Sequence, residues 1–542
     1  MNESERTVKW REWAVAAGVA GVCLLSGLDA IGLIGPDEPR YAEVAREMAI
    51  TDDWVTPKLW GQAWFEKPVL YYWGAASAMR VFGASEFAAR LPSALAALVA
   101  LTALVWAALR QYDARTATCV ALTFPTCVGV IGFARAAGPD MLFAAALAVA
   151  MVTAAEAAGL QGKQAGRPTG DDARERAWRR VGFRIGLGVA LGAATLAKGP
   201  AALILAGGSV LLWAAAARRW RTAFSLLHPW AVGAWAATSM PWYVICARRN
   251  PEFLRVFLYE HNLLRYLTPE YRHEQPVWFF LPVALIGILP WTALLAGVVR
   301  DGWHVCRERS WTGSAGLFYV CWAVWPLVFF SFSKSKLPGY LLVVVAPLAM
   351  VMARSVAARA EAADKWTARI GVLVGITLVL LSLFVAVLVY AADLEFNLES
   401  PAGVALTIAI TVASLSVAVL AGKRKVFAAE AATALIVSCL AGVLSWTVLG
   451  KVDAHYSPRE AAKGVGGEPA RENVYVYRVH RAWKHGLEFY QKKALEEWNE
   501  GVATPAWVFT TREGKEEMER SGRRVNVVEA KSANAILVYT YR

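Results

Sequence analysis

The sequence predicts an all-α polytopic membrane protein with a small α/β domain after its last span. Three observations predict it. The 542 residues are 57% hydrophobic and only 18% charged, whereas soluble domains run at about 45–50% and about 25%. Apolar runs at 13–34, 370–391 and 428–450 are each about 20 residues long, enough to cross ~30 Å of hydrocarbon at ~1.5 Å per residue. After Gly450 the chain turns polar and of mixed charge.

Hydropathy and periodicity divide the first part into about 13 spanning segments. They fall at 13–34, 88–109, 115–133, 140–159, 181–198, 200–217, 228–247, 277–299, 314–332, 338–354, 368–391, 402–421 and 428–449. The first run is too long for the apolar region of a cleaved signal, and charged sequence follows it at once, so it reads as a span. Lys and Arg concentrate in alternate connections, among them Arg110/Arg115, Lys163 to Arg180, Arg218/Arg219/Arg221 and Lys423/Arg424/Lys425. The positive-inside rule puts that set, and the N-terminus, in the cytoplasm. The other side then carries two long connections, 35–87 and 248–276, and everything after residue 450.

Within the first long connection, Tyr41, Val44, Ala45 and Met48 recur at helical spacing, and 69–82 is aromatic, apolar and flanked by charge. Both read as helices lying along an interface. In the C-terminal part, 473–479 and 536–541 alternate as strands do, and 483–499 has helical spacing. The expected division is a transmembrane domain over 1–454 and an extracytoplasmic α/β domain over 455–542.

Composition also excludes several functions. The formal net charge of +13 is scattered between apolar runs, which fits loops beside anionic lipid heads and argues against nucleic acid. Of the seven Cys, all but Cys306 lie in apolar stretches and no CxxC pair occurs. They read as packing residues and neither as a disulfide nor as a zinc framework. No P-loop, Walker motif or serine-hydrolase elbow is present.

Charge beside a bilayer is costly and marks function. Asp37 and Glu38 follow Gly35-Pro36 at the outer end of the first span. A carboxylate there suits a base or a sugar-binding group, and Asp37 equally suits a helix N-cap. Glu66-Lys67-Pro68 pairs an acid with a base beside Trp64 and Phe65, and a surface ion pair is the plain alternative. Arg135 and Asp140 flank a short turn, where Asp140 either caps the next helix or faces a cavity. Glu260, His261 and Arg265, followed by Tyr271-Arg272-His273-Glu274, gather in the second long connection. His261 suits an acid/base or metal role, and the fork of Arg265 suits a phosphate. Ser333-Lys334-Ser335-Lys336-Leu337-Pro338-Gly339-Tyr340 sets two lysines against the positive-inside bias, on phosphate or snorkelling at the surface. Several cations and carboxylates at bilayer-surface depth suit an amphiphile with a phosphate head. Without a nucleotide-binding motif, the energy source has to arrive with the substrate.

These residues carry a family likeness. Asp37-Glu38-x-Arg40-Tyr41-Ala42-Glu43, Phe65-Glu66-Lys67-Pro68 and Ala88-Ala89-Arg90-Leu91-Pro92-Ser93 resemble the lipid-sugar-dependent membrane glycosyltransferases related to protein O-mannosyltransferases. The group it looks most like is the bacterial 4-amino-4-deoxy-L-arabinose (aminoarabinose) lipid A transferases. The likeness extends through Ala197-Lys198-Gly199-Pro200, Glu260-His261-Asn262 and Ser333 to Tyr340, about 450 residues in all, and departs at Trp64, where Tyr is usual. The resemblance implies the GT-C fold, in a multi-pass protein of the bacterial inner membrane with a periplasmic C-terminal domain. It implies an inverting transfer of a sugar, 4-amino-4-deoxy-L-arabinose by this likeness, from undecaprenyl phosphate to lipid A. It further implies Asp37, Asp140 and Glu38 as catalytic carboxylates. Arg40, Tyr41, Lys67, Arg265, Lys336 and Tyr340 would lie on the donor phosphate, and Glu66 with His261 on a divalent cation. A protein or core-oligosaccharide acceptor is the alternative. A flippase or transporter of lipid-linked sugar is the rival of another class, disfavoured because the ionisable residues cluster at one face.

Overall fold

The computed structural model describes residues 10–160, 173–268, 274–307, 314–362, 365–391, 401–463, 473–529 and 536–541. Residues 161–172, the first part of the connection Lys163 to Arg180, and the Tyr271-Arg272-His273 cluster lie outside the described residues.

Each expected span is met by a helix or a broken helix pair, but fewer pass as full spans. Among the described residues, six helices are long and apolar enough to cross a membrane, and eight spans result if two bent pairs are each counted as one. Shorter apolar helices lie at Ala201–Ala217, Ala315–Ser331 and Ile408–Gly422. The continuous helices expected at 115–133 and 277–299 are instead bent by 63° and 110°. Pro125 and Pro290 sit at the breaks, where a missing N–H and a ring clash interrupt the ladder. The breaks dock on each other: the Val128 amide donates to the Leu289 carbonyl at 3.0 Å and the Trp291 indole to the Thr126 hydroxyl at 3.0 Å. Such mutual satisfaction is what irregular backbone at membrane depth requires.

The first helix is also shorter than expected. It ends at Leu25, and residues 26–36 form turns before the helix Asp37–Thr51. The amphipathic pattern of that second helix buries Tyr41, Val44, Ala45 and Met48 against the helix Leu70–Phe82. Between them, the two-residue turn Trp60-Gly61 has positive φ at both positions and closes the hairpin of Lys58–Leu59 with Gln62–Ala63, as a type I′ turn does.

The last long helix runs on through Leu449–Tyr456 into a five-stranded sheet. Its strand order is Glu496–Glu497, Val474–Tyr477, Ala506–Thr510, Ile536–Tyr541, Arg524–Glu529. The first three strands are mutually parallel and the other two pairings antiparallel. Alternation loads both faces: Phe509 and Leu537 pack with the helix Arg481–Gln491, while Val508, Ile536 and Val538 pack with Met518 of the helix Arg512–Arg520. The helix expected over 483–499 stops at Gln491, with Lys492 in the left-handed conformation as its cap, and Glu496–Glu497 joins the sheet.

Candidate functional site

A cavity of about 830 Å³ opens at one end of the bundle. Its walls come from helix ends that alternate in direction, as an up-and-down path demands. They are the starts of Asp37–Thr51, Pro139–Ala157 and Ala201–Ala217, the ends of Ala173–Lys198 and Ala315–Ser331, and the turn Pro338–Leu341. The segment Arg255–Leu264 supplies the remaining wall and is a π-helix, a form frequent at functional sites.

Of the site residues expected from sequence, Asp37, Tyr41, Glu66, Lys67, Asp140, His261, Arg265 and Tyr340 all line this cavity. Glu66 is the electrostatic centre. Its carboxylate meets Lys67 Nζ at 3.2 Å, Arg40 Nη1 at 3.4 Å and Arg265 Nη1 at 3.5 Å, and the Tyr41 hydroxyl donates to it at 3.4 Å. Burial alone would raise this carboxyl, but Lys67, Arg40 and Arg265 outweigh it and hold it at about 2. Burial likewise opposes the charge of Arg40, and Glu66 with Asp37 overcomes it, so the guanidinium is raised. Burial depresses His261, with Lys67 and Arg265 adding to the effect against Glu66, which favours the neutral imidazole.

Arg40 stands behind the wall. It pairs with both Asp37 and Glu66 and stacks 5.4 Å over Trp64. Asp37 is the first residue of its helix, and the helix has no side-chain cap hydrogen bond, so the capping alternative is not observed. The same holds for Asp140, which pairs with Lys198. Lys198 also lies 5.5 Å over Phe143 and 5.3 Å over Tyr340. Sequence reading passed over this lysine as part of a helix break. Its signal is a cation in the last turn of an apolar helix on the side where the positive-inside bias disfavours one. Gly339 keeps the space beside Asp140 open, since a Cβ there would stand 2.8 Å from Asp140 Oδ1 and 2.9 Å from Phe133.

Two expectations are corrected. Glu38 does not line the cavity: it is buried, ion-paired with Arg90 at 2.8 Å, and accepts the amides of Ile34 and Ala137. Lys336 turns away from the cavity and donates to the carbonyls of Ser333 at 2.6 Å and Gln275 at 3.0 Å. Backbone carbonyls close in sequence or in space take its ammonium. The expected divalent cation does not fit either. Glu66 is already surrounded by three cations, and no group of three His, Cys, Asp or Glu gathers among the described residues.

The opposite wall is apolar. Leu258, Leu263 and Leu267 line the cavity yet are 40%, 49% and 56% exposed, so the hollow is open on a hydrophobic side. With Phe329 and Phe330 they form a surface matched to a hydrocarbon chain, next to a head region where Lys67, Lys198 and Arg265 face Asp37, Glu66 and Asp140.

Residues 32–257 match the family described as dolichyl-phosphate-mannose-protein mannosyltransferase. The undecaprenyl phosphate-alpha-4-amino-4-deoxy-L-arabinose arabinosyl transferase of Edwardsiella ictaluri is 35% identical over 59% of this chain and 54% of its own. The protein named arabinosyl transferase 2 of the same kind in Sodalis glossinidius is 38% identical over 59% and 55%. The alignments thus span about half the length of these curated relatives. The crystal structure of ArnT from Cupriavidus metallidurans bound to undecaprenyl phosphate superposes with a TM-score of 0.77 at 23% identity, covering 98% of this chain and 97% of that one. That likeness carries the fold, from the helical bundle through the C-terminal sheet. The chain thus shares the fold of that crystal structure along nearly its whole length, and over residues 32–257 it is similar in sequence to the mannosyltransferase family.

Proposed function

We propose that this chain is an inverting glycosyltransferase that moves a sugar from a polyprenyl-phosphate carrier to an extracytoplasmic acceptor. The observation that carries the reading is the meeting of Lys67, Arg265 and Asp37 with an open apolar wall in one cavity. The N-terminus would lie in the cytoplasm and the C-terminal domain in the periplasm of a bacterial inner membrane. The relatives' names support undecaprenyl phosphate as the carrier and 4-amino-4-deoxy-L-arabinose as the sugar, and lipid A is the acceptor of this reading.

In this reading the isoprenoid lies along Leu258, Leu263 and Leu267, and the phosphate takes the place of Glu66 as partner of Lys67 and Arg265. The bond between the anomeric carbon and the phosphate oxygen breaks while an acceptor oxygen attacks from the opposite face. The released polyprenyl phosphate carries the negative charge, and Lys67 and Arg265 stabilise it as it develops, with Arg40 in support through Glu66. Asp37 orients the acceptor. A hydroxyl acceptor gives its proton to Asp37, whereas a phosphate acceptor is already anionic and needs Asp37 only for placement. Lys198 with Asp140, beside Tyr340, forms the second polar wall against which a sugar can rest.

The match to a protein mannosyltransferase family favours a second reading in the acceptor alone, a protein or oligosaccharide hydroxyl. Purified protein incubated with short-chain polyprenyl-phosphate sugars and each acceptor class, followed by mass spectrometry, tests both. Asp37→Asn and Lys67→Ala should each lower turnover by at least about tenfold, the low end for loss of a positioned acid/base or charge. Wild-type turnover in both variants would reject the reading.

A further inference from the structure

Glu38 and Arg90 are withdrawn from the cavity, yet they hold the loop before Asp37 and the turn before Asp140. Glu38 Oε1 accepts the Ala137 amide at 2.7 Å and Arg90 Nε at 3.2 Å, and Oε2 accepts the Ile34 amide at 2.9 Å and Arg90 Nη2 at 2.8 Å. Arg90 in turn donates to the carbonyls of Leu28 at 2.9 Å, Ile31 at 2.6 Å and Gly32 at 2.8 Å. Ser93, one turn on, donates to the Gly138 carbonyl at 3.2 Å. Asp37 is the neighbour of Glu38, and Asp140 follows Ala137 by three residues. One buried ion pair therefore joins the backbones that carry two of the cavity carboxylates, Asp37 and Asp140.

The loop held by Arg90 is held from its other side by the C-terminal part of the chain. Asp453 accepts the Gly32 amide at 2.7 Å, and the Tyr490 hydroxyl accepts the Leu33 amide at 2.9 Å while donating to Glu86 at 2.8 Å. Arg459 spans Asp453, Glu86 and the Asp29 carbonyl. The approach is so close that a Cβ on Gly32 would stand 2.0 Å from Ser457 Oγ and 2.7 Å from the Tyr490 hydroxyl.

We infer that Glu38 and Arg90 are positioning residues through which the docked C-terminal domain sets the placement of Asp37 and Asp140. The domain grips residues 29–33, that loop orients Arg90, and Arg90 orients Glu38, which fixes the start of the Asp37 helix and the turn before Asp140. Lys67 and Arg265 reach Asp37 only by way of Glu66 and Arg40, so the linkage acts first on the acids and only indirectly on the phosphate contacts.

The inference rests on the glycosyl-transfer reading, and two readouts on the full-length protein separate them. Tyr490→Phe removes one hydroxyl far from the cavity, Gly32→Ala forces the domain away, and Glu38→Gln keeps shape but loses charge. In steady-state transfer from a short-chain polyprenyl-phosphate sugar, each variant should lower kcat by about 10- to 100-fold, as small misplacements of reacting groups do. KM for the donor should stay within about threefold. Hydrogen exchange read by mass spectrometry should quicken at the Ala137 amide in Tyr490→Phe as well as at Leu33. An unchanged kcat in Tyr490→Phe and Glu38→Gln, or a rise in KM alone, overturns the inference. If the wild type transfers no sugar, the functional reading fails, and Ala137 exchange alone decides the linkage: protection unchanged in Tyr490→Phe overturns it.

Discussion

Lys198 and Asp140 pair from opposite ends of two adjacent helices: Lys198 closes Ala173–Lys198 and Asp140 lies in the first turn of Pro139–Ala157. Each charge complements its own helix dipole, negative at an N-terminus and positive at a C-terminus. The pair is therefore stabilised where it stands and presents a neutral, hydrogen-bonding wall.

Lys198→Met should keep the fold, because Phe143 and Tyr340 accept an apolar chain of similar length, while it leaves Asp140 unpaired. Transfer activity should fall at least about tenfold, the scale of one lost electrostatic contact in a site. Activity assays beside thermal unfolding check this: a fall in activity without a fall in unfolding midpoint is the expected outcome.

Glu66 fixes an acid limit. Its carboxyl is held at about 2 against an ordinary 4.5, so its pairing contributes stability that is complete above pH 4.5 and lost as pH falls towards 2. A gap of that size corresponds to on the order of 3 kcal/mol. Glu66→Gln should lower the thermal midpoint at pH 7, and the gap to the wild type should shrink below pH 4.5 and close near pH 2.

Glu43 acts with the opposite sign. Burial pushes its carboxyl to about 7 despite Arg46, so its contribution is complete below pH 4.5 and is lost as pH rises through 7. Glu43→Gln should flatten the stability profile between pH 5 and 7.5, by up to on the order of 3 kcal/mol across that range. Thermal midpoints at half-unit steps would register it.

Gly339→Ala tests the space beside Asp140. The added methyl would meet Asp140 and Phe133 inside their contact distance, so this wall of the cavity has to shift. The expected result is at least about tenfold lower kcat with a thermal midpoint close to that of the wild type.

Much of the candidate site was legible in the sequence because charges at the outer ends of apolar runs are conspicuous. Asp37, Lys67, Asp140, His261 and Arg265 were singled out on that ground and meet in one cavity. The same reasoning failed for Glu38. Asp37 and Glu38 are neighbours on a helix, so their side chains diverge by about 100°. Which one faces the cavity depends on Arg90, 52 residues away. Lys336 misled for a related reason: its position was read correctly, but nearby carbonyls, invisible in a hydropathy pattern, took its ammonium. The broken helices were signalled by Pro125 and Pro290, although a proline alone does not give the angle of a bend.

The sequence by itself determined the helical membrane class, the α/β character of the C-terminal part, and the segments that carry charge. Those properties follow from periodicity and from the cost of placing charges beside hydrocarbon, which act locally. Tertiary structure alone decided that Glu66 is ringed by three cations, that Glu38 serves Arg90, and that the C-terminal domain grips the loop before Asp37. Each of these depends on groups tens to hundreds of residues apart, brought within hydrogen-bonding distance only by packing, and short-range forces leave no periodic trace of such meetings in the chain.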